Sequence, residues 1–290
     1  MPPGVDVSVA HPARVRNFWL GGRDWFKADR VAGMRIAEEF PHLPATVRAE
    51  RAFLVRATRF LAGPAKMRQF LDLGSGLPAG GNTHEIAQRI AGDTGVVYID
   101  NNPDVLAHAK VLLEGAHEPA GLGSIGQGGI GLGPAGVGPL RIGPVSFVDA
   151  DLRDVGAVLA GAGGTLDLGQ PVALMMLGVL GYLPDYGAAQ SITSQLVAAL
   201  PSGSYLAIAD LASTDDSINR AQLRYDTQSA ADGWPPEPSY SVRRPEEIAG
   251  FFEGLDLVEP GVVPCGRWKP DRAAADGQDV PVYCGVARRP

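Results

Sequence analysis

One glycine turn and three acidic positions are the parts of this chain whose types and spacing could do chemistry. Phe70-Leu71-Asp72-Leu73-Gly74-Ser75-Gly76 is an apolar run that ends in an acid and a glycine-rich turn. Val96-Val97-Tyr98-Ile99-Asp100 is a second apolar run ending in an acid, one helix-length downstream. Together they read as strand, loop, helix, strand. Gly74 and Gly76 suit a chain that turns sharply and lays bare backbone against a ligand. Asp72 stands at the carboxyl end of its strand, the edge at which open α/β sheets bind ligands. An acid closing the second strand, Asp100, can accept hydrogen bonds from a ribose diol. A third acidic turn follows at Val148-Asp149-Ala150-Asp151-Leu152-Arg153-Asp154. There Asp151 can accept from the exocyclic amine of adenine while Leu152 packs beside the ring. Asp151 or Asp154 can equally cap the next helix. A nucleoside-bearing cofactor is the ligand these positions share.

The glycine spacing sorts among such cofactors. Gly74-Ser75-Gly76-Leu77-Pro78-Ala79 lacks the third glycine of a dinucleotide fingerprint, although Gly80 and Gly81 lie close by. The turn also stays long before Asn82, which suits a ligand without a pyrophosphate at the helix N-terminus. Asn82 and Glu85 have capping-box spacing, so Asn82 is expected to accept from the Glu85 amide and Glu85 to reach back. His84 falls in the first turn of that helix and reads as a solvated surface residue. The histidines, His11, His42, His84, His108 and His117, show no metal-ligand spacing. No catalytic triad or paired-carboxylate signature emerges.

These residues need elements to hold them. From Met67 the pattern alternates strands (68–73, 95–100, 145–149, 170–177, 203–210) with helices (82–91, 103–114, 154–160, 186–200). Such alternation predicts a parallel sheet with helices on both faces. Helical regions at 215–230 and 245–253 precede strand candidates at 256–265 and 280–288, read as a hairpin on the sheet edge. Before the sheet, residues 12–63 read as three helices: a short one broken at Gly21-Gly22, one over 24–40, and one over about 45–62. The second places Phe26, Met34, Ala37 and Phe40 on one side. The third carries Phe53, Leu54, Ala57, Phe60 and Leu61 as a docking stripe with Arg48, Arg51, Arg56 and Arg59 between them. Residues 115–144 are rich in glycine and proline and follow a helix rather than a strand, so they read as a mobile surface insertion.

A formal charge of −7 over 290 residues gives no support to nucleic-acid or anionic-membrane binding. No apolar run approaches the length of a membrane span. Met1 to His11 shows no secretory pattern, and Cys265 and Cys284 are too few for a disulfide framework. The expectation is a cytoplasmic protein with reduced thiols.

Asp72-Leu73-Gly74-Ser75-Gly76, Asp100 and Ala150-Asp151-Leu152 resemble the successive motifs of class I S-adenosylmethionine-dependent methyltransferases. More narrowly, the chain resembles an actinobacterial family formerly catalogued as a domain of unknown function. The resemblance is carried by Ala13-Arg14-Val15-Arg16-Asn17-Phe18-Trp19-Leu20-Gly21-Gly22-Arg23-Asp24, by Phe70 to Asn82, by Val97-Tyr98-Ile99-Asp100-Asn101-Asn102-Pro103, and by Pro171-Val172-Ala173-Leu174 and Pro201-Ser202-Gly203-Ser204-Tyr205-Leu206. It implies a Rossmann-like, doubly wound seven-stranded sheet with an antiparallel last strand. A tail and helical cap over 1–66 would precede a cofactor-binding domain over 67–290. It further implies that Gly74, Gly76 and Leu77 line the methionine portion of S-adenosylmethionine (SAM), with Asp72, Ser75 and Gly178 also among the cofactor-binding residues. Asp100 would hold the ribose, and Asn101, Asp151 and Leu152 would lie at the adenine. Phe18, Gly21 and Gly22 would fold over the cofactor, unless that segment is simply a tight helix–helix turn. The family pattern has a histidine near Gly181, and its absence leaves Tyr182 as the nearest polar side chain and the weak catalytic candidate.

The expected activity is methyl transfer from SAM to a small-molecule acceptor, with neither nucleic acid nor membrane as partner. The cap helices and the strand of Cys265 are the surfaces on which a homodimer could form. A noncatalytic protein that binds SAM or S-adenosylhomocysteine (SAH) is the alternative, motivated by the missing base. A nicotinamide-dependent oxidoreductase ranks third.

Overall fold

A computed structural model describes residues 6–77, 80–103, 105–107, 130–131, 140–213, 240–269 and 280–290, together with 220, 223, 227, 230 and 231. The N-terminal part is helical, with α1 at Pro12–Trp19, α2 at Lys27–Glu39 and α3 at His42–Ala62. Pro12 starts α1, where its missing N–H would be unpaired in any case. The buried carboxylate of Asp29 joins the starts of both first helices. It accepts from the His11 amide (2.9 Å), the Phe26 amide (2.7 Å) and Arg14 Nε (3.0 Å). That bond to Phe26 makes Phe26 the N-cap, so α2 begins at Lys27 rather than at 24. Ala32 and Ile36 of α2 and its C-cap Phe40 are buried apolar residues, whereas Met34, expected on that side, is exposed. The three lie four apart, the spacing of one helix face.

The sheet runs β1 (Gln69–Leu73), β2 (Gly95–Asp100), β3 (Val145–Asp149), β4 (Ala173–Leu177), β5 (Tyr205–Leu211), β6 (Asp256–Leu257) and β7 (Val282–Arg288). Their spatial order is β3-β2-β1-β4-β5-β7-β6, and Val263–Pro264 also pairs with β7 off this path. Neighbours among β1 to β5 are parallel, and β7 is antiparallel to both β5 and β6. The last strand therefore inserts inside the edge. The expected strand over 256–265 is two short pieces, separated by Pro260 and by Gly261 at φ +85. In the region read as an insertion, Ile130–Gly131 pairs antiparallel with Leu140–Arg141, and most other residues of 115–144 lie outside the described ones. So do most positions of the expected helices at 103–114 and 215–230.

Alternate side chains of each central strand enter opposite cores, as the two-residue period requires. Leu71, Leu73, Val97, Leu174, Met176 and Ile208 bury on one face, beneath α5 (Val155–Gly163), α6 (Tyr186–Ala198) and α7 (Pro245–Gly250). Phe70, Val96, Tyr98, Ala173, Met175 and Ala207 bury on the other, beneath α3 and α4 (Thr83–Ile90). The docking stripe expected on α3 is realised: Phe53, Leu54, Ala57 and Leu61 are all buried in that second core. Arg56 fastens the helix further, donating to the carbonyls of Trp268 (2.9 Å) and Cys265 (2.6 Å). Cys265 and Cys284 are buried free thiols.

Register then sets the site. Leu73 lies opposite Ile99 and Met176, Asp100 opposite Asp149, and Leu177 opposite Ala209. The carboxyl ends of five parallel strands thus open on one edge, where α3 brings Glu50 to Gly178 and Arg51 to Gly80 and Asn82.

Candidate active site

The glycine turn leaves β1 with Gly74 at φ +67 and Gly76 at φ +62, a region that a residue with a Cβ enters only under strain. The Gly74 amide donates to the Ile99 carbonyl at 2.7 Å, and a Cβ on Gly74 would overlap Cγ1 of Val179. The turn is therefore wedged between β2 and the segment after β4. Asp100 holds its far side, accepting from the Gly76 amide (3.0 Å) and the Asn102 amide (2.9 Å). Burial pushes the Asp100 pKa up, and those amides oppose the shift. A carboxylate with one such bond on each oxygen keeps acceptor capacity for a further ligand. Asn101 beside it is exposed.

Asp72 works from below the turn. It is buried, accepts from Thr83 Oγ1 at 2.6 Å, and has its pKa raised to about 6 by burial. Thr83 is the first residue of α4, so this bond fixes where the helix begins. His84 is not a solvated residue: its amide donates to the Tyr98 hydroxyl (2.9 Å), and its Nδ1 shares a hydrogen bond with that oxygen (2.8 Å). Burial lowers the His84 pKa. The expected capping box is also altered. Arg51 of α3 takes Asn82 Oδ1 at 2.8 Å, so Asn82 turns its Nδ2 to Glu85 Oε1 (3.0 Å), and Glu85 reaches back to the Gly81 amide (2.8 Å).

After β3, Asp154 caps α5 by accepting from the Ala157 amide at 2.9 Å. Asp151 turns to Arg153, accepting from its amide (2.8 Å) and its Nε (2.9 Å), and these bonds lower its pKa. Leu152 is half-buried against the core.

A second group gathers at the ends of β4 and β5. Gly178 has φ +68, and its amide donates to the Ala209 carbonyl at 2.7 Å. A Cβ there would stand 2.8 Å from Oε1 of Glu50, which α3 supplies and Arg16 of α1 holds as an ion pair. Burial raises the Glu50 pKa, with Arg16 opposing. Asp210, fully buried, accepts from the Gly181 amide (3.2 Å), the Leu211 amide (2.9 Å) and the Tyr240 hydroxyl. Burial pushes its pKa up to about 7 against the opposing Tyr240 hydrogen bond and the charge of Arg243. A Cβ on Gly181 would overlap the Tyr240 ring. The space beside Gly181 is thus taken by the Tyr240 ring, and Asp210 meets the Gly181 amide. Tyr182 is 40% exposed and meets the Tyr240 ring edge-on, with centroids 4.9 Å apart.

The N-terminal loop is built mainly on itself. Asn17 Oδ1 accepts from the Asp24 amide at 3.0 Å, and a Cβ on Gly22 would overlap that oxygen. Phe18 packs edge-on against Trp25 (5.3 Å) and over Gly33, while Gly21 takes φ +73. These contacts give the tight turn its own structural reason. The residue that α1 sends to the strand ends is Arg16.

Sequence reasoning therefore missed Arg16, Glu50, Asp210 and Tyr240. Asp210 had a signal, because Leu206-Ala207-Ile208-Ala209-Asp210 repeats the pattern of an apolar run closed by an acid.

The sequence matches the S-adenosyl methyltransferase family over residues 1–122 and 141–290. The chain belongs to that family. A crystal structure of a DUF574 family protein from Streptomyces avermitilis MA-4680 is similar, at 36% identity and TM-score 0.80, over 98% of this chain and 99% of that one. A candidate methyltransferase from Thermobifida fusca YX is 33% identical with TM-score 0.78, over 99% of this chain and 98% of its own. No curated protein matches the chain. The stretch that the family match omits, 123–140, falls within the glycine-rich segment. The methyltransferase uses SAM, which sets the nicotinamide alternative aside. Its turn fits that group. Ser75 Oγ, between two left-handed glycines, is buried without a hydrogen-bond partner among the described residues, and Asp100 retains acceptor capacity next to it. Among the described residues, no helix of the methyltransferase is long and apolar enough to cross a membrane.

Proposed function

We propose that this methyltransferase acts on a small molecule through an oxygen or nitrogen that starts protonated, and that Tyr240 and Asp210 remove the proton. The observation that carries this reading is the hydrogen bond from the Tyr240 hydroxyl to a buried carboxylate at the end of β5. When bound, SAM supplies a methyl group on a positively charged sulfur. Asp100 accepts from the ribose hydroxyls, while Asn101, Asp151 and Leu152 flank the adenine. Gly74, Ser75, Gly76, Leu77 and Gly178 line the methionine portion, with Asp72 bracing the turn through Thr83. Phe18, Gly21 and Gly22 shape the loop that covers this edge.

As the nucleophile attacks, its proton passes to the Tyr240 oxygen and the Tyr240 proton passes to Asp210. A general base of this kind is required only when the nucleophile carries a proton. A protein that merely bound the cofactor would have no use for a proton acceptor here. Tyr240 also lines a cavity of about 350 Å³ with Pro184, Tyr186, Arg243 and Glu247, which is of the size that holds small ligands. Tyr182 forms an aromatic wall on the solvent side. The net charge of −7 supports a non-nucleic-acid acceptor. The relatives from Streptomyces and Thermobifida, with the two free thiols, support a cytoplasmic actinobacterial protein.

Calorimetric titration with SAM, SAH and NAD tests the cofactor placement. Saturable binding of SAM and SAH alone is expected. Asp100→Ala is expected to weaken SAH binding about tenfold to a hundredfold, the loss of hydrogen bonds to a charged acceptor. Full SAH affinity in that variant would remove Asp100 from the ribose.

A further inference from the structure

Two buried donors meet at the glycine turn, one on α3 and one on the turn itself, and neither has a partner among the described residues. Arg51 donates through Nη2 to the Gly80 carbonyl (2.7 Å) and to Asn82 Oδ1 (2.8 Å), which pins its guanidinium to the turn. Its Nε is nevertheless buried with no partner. Ser75 Oγ, at the start of the same turn, is buried and unpartnered too. An unpaired donor on a buried cation is costly, and the cost disappears when an anionic oxygen group sits against it.

Immediately before Arg51 in α3 is Glu50. Its two carboxylate oxygens lie 2.8 and 2.9 Å from the point where a Cβ on Gly178 would be, so the carboxylate faces the backbone at the end of β4. Arg16 holds it through Oε1. Around Arg51 the other charged or titratable groups are Asp72, Tyr98, Arg16 and Glu85. Consecutive residues of one helix thus present an unsatisfied cationic donor toward the β1 turn and a carboxylate toward β4. These are the two strand ends between which the methionine portion of the cofactor is placed above, and this inference rests on that placement.

An α-amino acid carries a carboxylate and an ammonium on one carbon, which is the pattern complementary to that pair. We infer that Arg51 and Ser75 receive the carboxylate of the cofactor's methionyl end and that Glu50, held by Arg16, receives its ammonium. The cap helices then recognise the part of SAM and SAH that 5′-methylthioadenosine lacks. Arg16 is a positioning residue in this scheme, because it acts through Glu50.

The test is calorimetric binding of four probes to the full-length protein: SAH, its decarboxylated analogue, its deaminated analogue and 5′-methylthioadenosine. Arg51→Met should weaken SAH about tenfold to a hundredfold while changing the decarboxylated analogue by less than about twofold. Glu50→Gln should show the mirror pattern, with loss for SAH and near-constancy for the deaminated analogue. Ser75→Ala, which removes one neutral donor, should follow Arg51→Met with a smaller loss. Each comparison is made between ligands on one variant, so partial unfolding cannot imitate it. Equal losses for all four probes would overturn the inference and reduce these residues to supports of the turn. Unchanged SAH affinity in the variants would overturn it as well. If wild-type protein bound no SAH, the cofactor placement itself would fall, and this inference with it.

Discussion

Asp210→Asn is expected to lower kcat by about a hundredfold to ten-thousandfold, the usual contribution of a general base. The affinity for SAH should stay within about twofold, since Asp210 faces Tyr240 and the Gly181 amide rather than the glycine turn. The amide side chain keeps one acceptor oxygen, so it can retain the bond from the Gly181 amide or that from the Leu211 amide, which reach different oxygens of Asp210, but not both. What it cannot do is hold the proton that Tyr240 passes on. The readout is SAH released from SAM in a panel of small phenols, carboxylic acids and amines. Tyr240→Phe should fall by a similar factor, because the relay loses its first member. The pH dependence gives a second signature. Burial holds the Asp210 pKa near 7, and the base form is the ionised one, so wild-type kcat should rise as pH increases through about 7. Asp210→Asn should lose that rise. The stability effect has the opposite sign. An unfolded aspartate titrates near 4, so between about 4 and about 7 the folded protein binds more protons at this site. Folding stability contributed by Asp210 is therefore present below about pH 4 and is lost as pH rises toward 7. An Asp210→Asn enzyme that kept the wild-type rate and pH profile would remove the pair from the chemistry.

The parts of this site that the sequence announces are those set by local pattern. Strands buried on both faces read as apolar runs, and an acid closing such a run stands out, which is why Asp72 and Asp100 could be placed from spacing alone. The stripe on α3 was equally plain, because Phe53, Ala57 and Leu61 recur at helical intervals. The rest depends on side chains that meet only after folding. Asn82 should cap α4 by its spacing, but Arg51 arrives from α3 and takes its oxygen. His84 looks solvated until Tyr98 is brought beneath it by β2. Tyr240 follows no periodic segment, and its value comes from lying over Gly181, some sixty residues earlier in the chain. Glu50 reads as one polar residue among several on an amphipathic helix. Only the crossing of α1 and α3 over the strand ends gives it Arg16 on one side and Gly178 on the other. Nor does the sequence around Gly181 show that the Tyr240 ring lies against it, since that contact comes from another part of the chain.

Gly74→Ala is expected to damage stability and cofactor binding together, because it strikes the joint between the two halves of the site. The new Cβ would overlap Val179 Cγ1, and overpacking of this kind costs about 1–3 kcal/mol. A residue with a Cβ held at φ +67 adds about 1–2 kcal/mol more. The two contributions can be separated. Val179→Ala in the same chain removes the overlapping methyl and should return the first part, while the backbone strain at residue 74 remains. Val179→Ala alone should destabilise through the cavity it leaves, so the pair must be strongly non-additive, with the double variant more stable than the sum of the single losses. Denaturant melts of the wild type, both single variants and the double variant measure this coupling directly. SAH titrations on the same proteins show whether the turn recovers its binding geometry when the clash is relieved. Additive losses would mean that Val179 yields freely and that the turn is not wedged against β4. Recovery of stability without recovery of SAH affinity would show that the left-handed backbone at Gly74, and not merely the space beside it, is what the cofactor requires.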